Sequence, residues 1–366
     1  MLALLGRRRR LATVNPPDSD DQVVSDAAAE IAVPDVVTLG VRLDQLLDDA
    51  SRYATHARAE ATLRGYRSDW TDFTSWCAQM GLEALPASPA TLAAYMAALA
   101  SMEAAVGTIA RRLSSIGHYH RAAGVPDPSA DPAVRYVMAG IRRQLGRRPD
   151  QATPLMPPLL FDAVQACPSV YVGGGGPEPH LRGLRDRAIL LVGFVGALRR
   201  SELASADLEE LHDHPLGLVL DIPTSKTHQD PTQVADAVVL PRSRTPEHCP
   251  VVQLNAWIDA AGITQGPIFR GCTPRGNKLA SGDRRLTGER INTIVQDALR
   301  RTGVDPDAED YSAHSLRAGF VTYASARGAS DRAIARQTRH RDPTSVAIYT
   351  RHQSAWTDNA ATQLGL

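Results

Sequence analysis

Four prolines, Pro149, Pro154, Pro157 and Pro158, fall within ten residues, just after a stretch whose apolar residues recur at helical spacing. Proline has no N–H to give to a helix and turns the residue before it away from the α region, so no helix is expected to run through this segment. The chain is thereby divided, and residues 149–158 are expected to form a linker between two domains. With 366 residues in all, each part is long enough to bury its own core.

Before the break, residues 41–148 read as helices. Leu63, Tyr66, Trp70, Phe73 and Cys77 recur at three- and four-residue steps and make one apolar stripe. Ser88-Pro89 has the form of an N-cap followed by a first helical residue, with Leu92, Tyr95, Met96 and Leu99 turned inward. Ile109, Leu113 and Ile116 mark a third helix ending near Gly124, and Asp131-Pro132 opens a fourth through Val134, Val137, Met138 and Ile141. Aromatics at these positions are expected in the core. Residues 1–40, with Pro16-Pro17 and no apolar period, are expected to be a disordered tail.

After the break the pattern is mixed. Residues 218–222 and 237–240 are short β-prone runs on either side of a polar segment that carries Lys226. Residues 170–179 hold the run Gly173 to Gly176 without the Lys-Ser/Thr of a phosphate-cradling loop, and are read as a flexible connection. No strand leads into Gly-x-Gly-x-x-Gly, so neither an ATP nor a nicotinamide site is indicated.

Basic and acidic side chains balance at 40 each, which argues against indiscriminate nucleic-acid binding. The distribution is uneven: residues 106–148 carry eight arginines against Asp127 and Asp131. Arg111, Arg112, Arg121, Arg142, Arg143, Arg147 and Arg148 are the candidate phosphate contacts of this stretch. Lysine occurs only at Lys226 and Lys278. Arginine does not release a proton at ordinary pH and lysine can, so Lys226 stands out as a possible proton donor in a chain that otherwise uses arginine. Cys77, Cys167, Cys249 and Cys272 are far apart and read as free thiols of a reducing cytosol. The apolar start, residues 1–5, is too short for a secretory signal and precedes its arginines instead of following them.

The last quarter holds the chemistry. His314-Ser-Leu-Arg317 is followed by Arg339-His340-Arg-Asp342-Pro343-Thr-Ser-Val-Ala-Ile-Tyr349. His-x-x-Arg by itself turns up about once by chance in a chain with 11 histidines and this arginine content. At i and i+3 of a helix, however, His314 and Arg317 share a face and can address one phosphate. Asp342-Pro343 reads as a helix start between His340 and Tyr349. Two imidazoles, a guanidinium and a phenol can hold a phosphodiester and attack it, with Tyr349 as candidate nucleophile.

Upstream, Gly196-Ala-Leu-Arg199-Arg-Ser-Glu202-Leu203 and Pro223-Thr-Ser-Lys226-Thr-His-Gln229 complete a pattern. With them the chain resembles the tyrosine recombinase (phage integrase) family over residues 41–366. The resemblance implies a mainly α protein with a small β-sheet. Residues 41–148 would be a helical, SAM-like core-binding domain and residues 159–366 an α+β catalytic domain ending in a tail helix. It implies the catalytic set Arg199, Lys226, His314, Arg317, His340 and Tyr349, with double-stranded DNA as partner and a homotetramer in the synaptic complex. Accessory DNA-bending or directionality factors and a cytoplasmic, nucleoid-associated location would follow.

In such a site Arg199 and Arg317 would neutralise the non-bridging phosphate oxygens, and His314 would take the phenolic proton. His340 would donate to the phosphate and Lys226 would protonate the departing 5′ oxygen, leaving a 3′-phosphotyrosyl enzyme. These side chains supply charge, nucleophile and acid, so no cofactor or metal is expected. One position departs from the pattern: Arg339 stands where the family usually has glycine. If the turn needs positive φ, arginine is strained there by roughly 1–2 kcal/mol.

Two alternatives stand beside this reading: a type IB topoisomerase, which uses the same chemistry but re-ligates the same strand, and a DNA-binding regulator that has lost catalysis, against which the complete six-residue set argues. Metal hydrolysis would have to use His118-Tyr-His120 or His212-Asp-His214. The first pair is a poor chelate on a helix, and the second reads as a polar loop without a third ligand.

Overall fold

The computed structural model describes residues 60–146, 152–173, 176–223, 236–282 and 284–339, together with positions 45, 46 and 49. It divides into two compact units, residues 1–149 and 150–366. The expected tail over 1–40, Lys226, His340, Tyr349, Arg147, Arg148 and the C-terminal tail helix lie outside the described residues.

The first unit contains α1 (Glu60–Met80), α2 (Pro89–Ser101), α3 (Val106–Ala122) and α4 (Pro132–Leu145). The helix starts are those that the local chemistry requires. Ser88 Oγ accepts the Thr91 N–H at 3.0 Å with Pro89 in the first turn, and Asp131 Oδ1 accepts the Ala133 N–H at 2.8 Å ahead of Pro132. Trp70, Phe73 and Cys77 of α1 close on Tyr95 and Met96 of α2, Ile109, Ile116 and Tyr119 of α3, and Met138 of α4. The Trp70 and Tyr119 rings stack at 4.6 Å, and Phe73 meets Tyr95 edge-on at 5.0 Å, so these aromatics are core. His120 is buried and occupied at both ring nitrogens: Nε2 accepts the Ala87 N–H at 2.9 Å, and Nδ1 donates to Ile116 O at 2.8 Å.

The second unit is organised around α6 (Leu181–Val195), buried on most of its circumference. Around it stand α5 (Leu159–Gln165), α8 (Pro250–Ala261), α9 (Gly288–Arg300) and α10 (His314–Ala326). Leu155, within the expected linker, is fully buried in this core, and its N–H donates to Ser315 O at 2.9 Å. A Cβ on Gly319 would stand 2.0 Å from Leu155 O, so glycine is what lets α10 lie against that segment. The Trp257 indole fills the space under α8 and donates to Ile268 O at 2.8 Å, which satisfies its polar atom.

One antiparallel sheet has the order β3–β4–β5, formed by Leu211–His214, Gly217–Ile222 and Asp236–Pro241. Leu220 pairs with Leu211 on one side and Val238 on the other, and Leu218, Leu220, Ile222, Val238 and Leu240 are buried. The connection carrying Lys226 joins β4 to β5. Short α7 (Arg200–Ser205) follows α6, and α11 (Asp331–Thr338) follows α10. Among the described residues no helix is long and apolar enough to cross a membrane.

Two sequence expectations are corrected. Residues 170–179 are not a loose connection: Val170–Gly173 (β1) and Gly176–Pro179 (β2) form an antiparallel hairpin, with Val170 opposite Pro179 and Gly173 opposite Gly176. The β-prone Val170, Tyr171 and Val172 decide the conformation, and Gly173 and Gly176 form the last pair of the ladder. His212 and His214 are likewise in an edge strand, not a polar loop, because backbone pairing to β4 holds them there. His212 Nε2 meets Asp221 Oδ2 at 2.9 Å across that pair.

Candidate active site

Three elements of the second unit bring the described members of the motif set together. α6 ends at Val195, and the chain turns through Ala197 at φ 46° with Leu198 buried beneath it. This turn presents Arg199 in extended backbone just ahead of α7. One helical turn later Glu202, only 2 % exposed, reaches back. Its Oε2 accepts the Arg199 N–H at 2.8 Å and its Oε1 accepts from Arg199 Nη1 at 2.6 Å. The Arg199 side chain is 20 % exposed, so its charge is anchored on one side and reaches solvent on the other.

α10 supplies the second pair. Its start is fixed by Ser312 Oγ, which accepts the His314 N–H at 3.2 Å, and by Asn292 Oδ1, which accepts the Ala313 N–H at 2.8 Å. His314 is thus the first helical residue and keeps an exposed surface. Arg317 lies one turn on and is buried. Its Nη1 donates to Ala197 O at 2.7 Å and its Nη2 donates to Thr338 O. One guanidinium therefore ties the turn before Arg199 to the end of α11.

The electrostatics agree with this convergence. The surrounding protein, then the charges of Arg317 and Arg199, hold the His314 imidazole below its ordinary pKa of 6.5. Both arginines act on it, so the three side chains lie near one another. Burial alone would raise the Glu202 carboxyl, but Arg339 and Arg199 overrule it and keep the acid ionised.

Acidification is expected to act through His314 in one direction. The unfolded imidazole takes its proton near pH 6.5 and the folded one only lower, so stability from the neutral ring is present above 6.5 and lost as pH falls below it. A role as proton acceptor has the same sign. An NMR titration of His314 should give a midpoint below 6.5, and cleavage should decline with acid through that midpoint; a midpoint above 6.5 would contradict both.

Glu202 holds a place in the site that residue type alone does not announce, although its i+3 spacing from Arg199 is a signal in the sequence. Arg339 closes α11 in the left-handed region at φ 55° and ψ 44°, as a glycine-type turn demands. It is inside the protein, 7 % exposed, and its Nη2 donates to Glu202 Oε2 at 2.6 Å.

In the first unit, Arg111 pairs with Asp69, Arg112 with Asp72 and the Tyr95 hydroxyl, and Arg121 with Asp127. Arg142 and Arg143 stand exposed in the last turn of α4. Among the described residues no group of three or more His, Cys, Asp or Glu is gathered as a metal ion would require.

Against known proteins, residues 177–355 match the phage integrase family. An integrase/recombinase XerD homologue of Selenomonas ruminantium is 33% identical over 318 residues, which is 86% of this chain and 88% of that protein. The recombinase Cre of Escherichia phage P1 is 25% identical over 275 residues, 72% of this chain and 76% of that one. Among solved structures, the site-specific recombinase XerH bound to its difH substrate before cleavage superposes with a TM-score of 0.54 at 11% identity, covering 93% of both chains. A lambda integrase tetramer bound to a Holliday junction gives 0.54 at 15% identity, over 84% of this chain and 77% of that one. At these identities the two structures speak for the fold.

Proposed function

The chain belongs to the phage integrase family, and on that premise we propose that it is a site-specific DNA recombinase with Tyr349 as its nucleophile. Its phosphate-binding and proton-transferring groups are Arg199, Lys226, His314, Arg317 and His340. The observation that carries this reading is the gathering of Arg199, His314 and Arg317, from two separate stretches of chain, around Ala197 and the end of α11.

The chemistry follows from those groups. Free tyrosine has a pKa near 10 and is a poor nucleophile at neutral pH. A neutral His314 accepts the phenolic proton as the Tyr349 oxygen bonds to phosphorus. Arg199 and Arg317 take up the charge on the non-bridging oxygens, where it grows in the transition state. His340 adds a hydrogen bond to the phosphate. The P–O5′ bond breaks and Lys226 gives the leaving oxygen its proton. The 3′-phosphotyrosyl bond keeps the energy of the broken phosphodiester, and a 5′ hydroxyl of a partner strand reverses the attack.

Double-stranded DNA is the partner, and the working assembly is a tetramer on two sites, as the lambda integrase complex on a Holliday junction suggests. Residues 41–148 act as the core-binding domain, 149–158 as the linker and 159–366 as the catalytic domain. In the first unit the phosphate contacts fall first to exposed Arg142 and Arg143, with Arg147 and Arg148 next in sequence. Arg111, Arg112 and Arg121 already share their charge with aspartates and add less. Accessory DNA-bending or directionality factors complete the set, and the protein works at the nucleoid.

The test uses the full chain and DNA from the flanks of its gene, sequenced for repeated attachment sites. A duplex nicked beside the cleavage point should trap a detergent-stable protein–DNA adduct that forms equally well with a chelator present. Two sites on one plasmid should yield recombinants. Relaxation of plasmids without sites would instead indicate a topoisomerase, and binding without an adduct a regulator.

A further inference from the structure

We propose that Arg339 is a positioning residue for strand cleavage, holding Glu202 so that Arg199 meets the carboxylate through one oxygen and keeps an edge of its guanidinium for the scissile phosphate. The proposal rests on the reading of Arg199 as a phosphate ligand.

Glu202 has two oxygens and three donors. Oε2 takes both the Arg199 N–H, at 2.8 Å, and Arg339 Nη2, at 2.6 Å. Only Oε1 is left for the Arg199 side chain, which reaches it with Nη1 at 2.6 Å. Arginine and carboxylate prefer a two-pronged pairing, and a carboxylate without Arg339 is free to turn into it. Such a pairing would draw Arg199 inward and use the donors that a phosphate needs. The second cation opposes that: it engages Oε2, and its charge and that of Arg199 repel each other.

Arg339 also belongs to a three-residue clasp at the end of α11. Gln337 Nε2 donates to Val195 O and Val239 O, both at 2.9 Å, Thr338 O accepts from Arg317, and Arg339 Nη1 donates to Gln337 O at 2.9 Å. Consecutive residues therefore contact the end of α6, strand β5, Arg317 and the carboxylate partner of Arg199. His340 is the next residue in the chain.

Stability alone does not account for arginine here. It sits at φ 55°, where glycine is unstrained, and its Nε is buried without a hydrogen-bond partner among the described residues. Burial disfavours the Arg339 charge and holds its pKa below the usual arginine value, against the attraction of Glu202 and Asp236. What arginine supplies and glycine cannot is the link from the α11 turn to Glu202.

The experiment compares wild type, Arg339→Gly, Arg339→Lys, Glu202→Gln and Glu202→Gln/Arg339→Gly in single-turnover cleavage of the nicked duplex, with DNA affinity and thermal midpoint measured alongside. Arg339→Gly relieves the backbone and leaves Glu202 paired with Arg199, so its fold should survive. Its cleavage rate should fall about tenfold to a hundredfold, as expected for a misplaced phosphate ligand, with DNA affinity unchanged. Arg339→Lys should recover part of the rate. Adding Arg339→Gly to Glu202→Gln should change the rate less than about twofold, because residues that act through one another are not additive. A wild-type chain that cleaves, together with Arg339→Gly cleaving at the same rate, would overturn this role alone. A wild-type chain that forms no adduct would overturn the functional reading, and this role with it.

Discussion

Tyr349→Phe should abolish the covalent protein–DNA adduct while DNA affinity stays within about twofold of wild type, since the hydroxyl bonds only in the transition state. Phenylalanine keeps the ring and removes the single oxygen that would bond to phosphorus, so no proton acceptor or arginine can compensate. Denaturing electrophoresis of labelled nicked duplex is the measurement. A slow residual adduct in the variant would mean that another side chain attacks, and would remove Tyr349 from the mechanism.

Arg317→Ala should be the most damaging change among the described residues, because it strikes both structure and chemistry. Losing one charge-stabilising donor costs about 10²–10³ in rate, equivalent to about 2.7–4 kcal/mol. The vacated Ala197 and Thr338 carbonyls lose their donor as well, at about 1–3 kcal/mol for each that stays buried and unsatisfied. The thermal midpoint should fall together with cleavage. Assays run well below the transition separate the two effects, and Arg317→Lys, which keeps the charge but not the planar fork, should restore little of either. Cleavage by folded Arg317→Ala within about tenfold of wild type would show that this arginine is not at the phosphate.

Much of the first unit was legible because its determinants are local. Ser88-Pro89 and Asp131-Pro132 start helices by hydrogen bonds within three residues, and the α1 stripe follows from 3.6-residue periodicity. The β1–β2 hairpin was missed because glycine content weighs against order locally, whereas strand pairing is settled across the turn. β3 was missed because only Leu211 of its Leu-His-Asp-His is partly buried, which leaves no alternation of a half-buried strand to read. The arginine count of residues 106–148 overstated the available charge, since Asp69 and Asp72 lie outside that window and meet Arg111 and Arg112 only through the packing of α1 on α3.

Residue types and their order set which chemistry was on offer. The order Arg199, Lys226, His314, Arg317, His340, Tyr349 and the residue types are covalent facts, and they carried the family resemblance. Tertiary structure decided how three of those groups meet and what holds them. It set the Arg317 guanidinium between Ala197 and Thr338, and the charges of Arg199 and Arg317 against His314. It also changed the meaning of Arg339. Read along the chain, that residue was a strained substitute for glycine, and its positive φ bears out the strain. Its carboxylate partner is 137 positions away, and a contact across that separation has no local signature; only the packing of α7 against the end of α11 makes it.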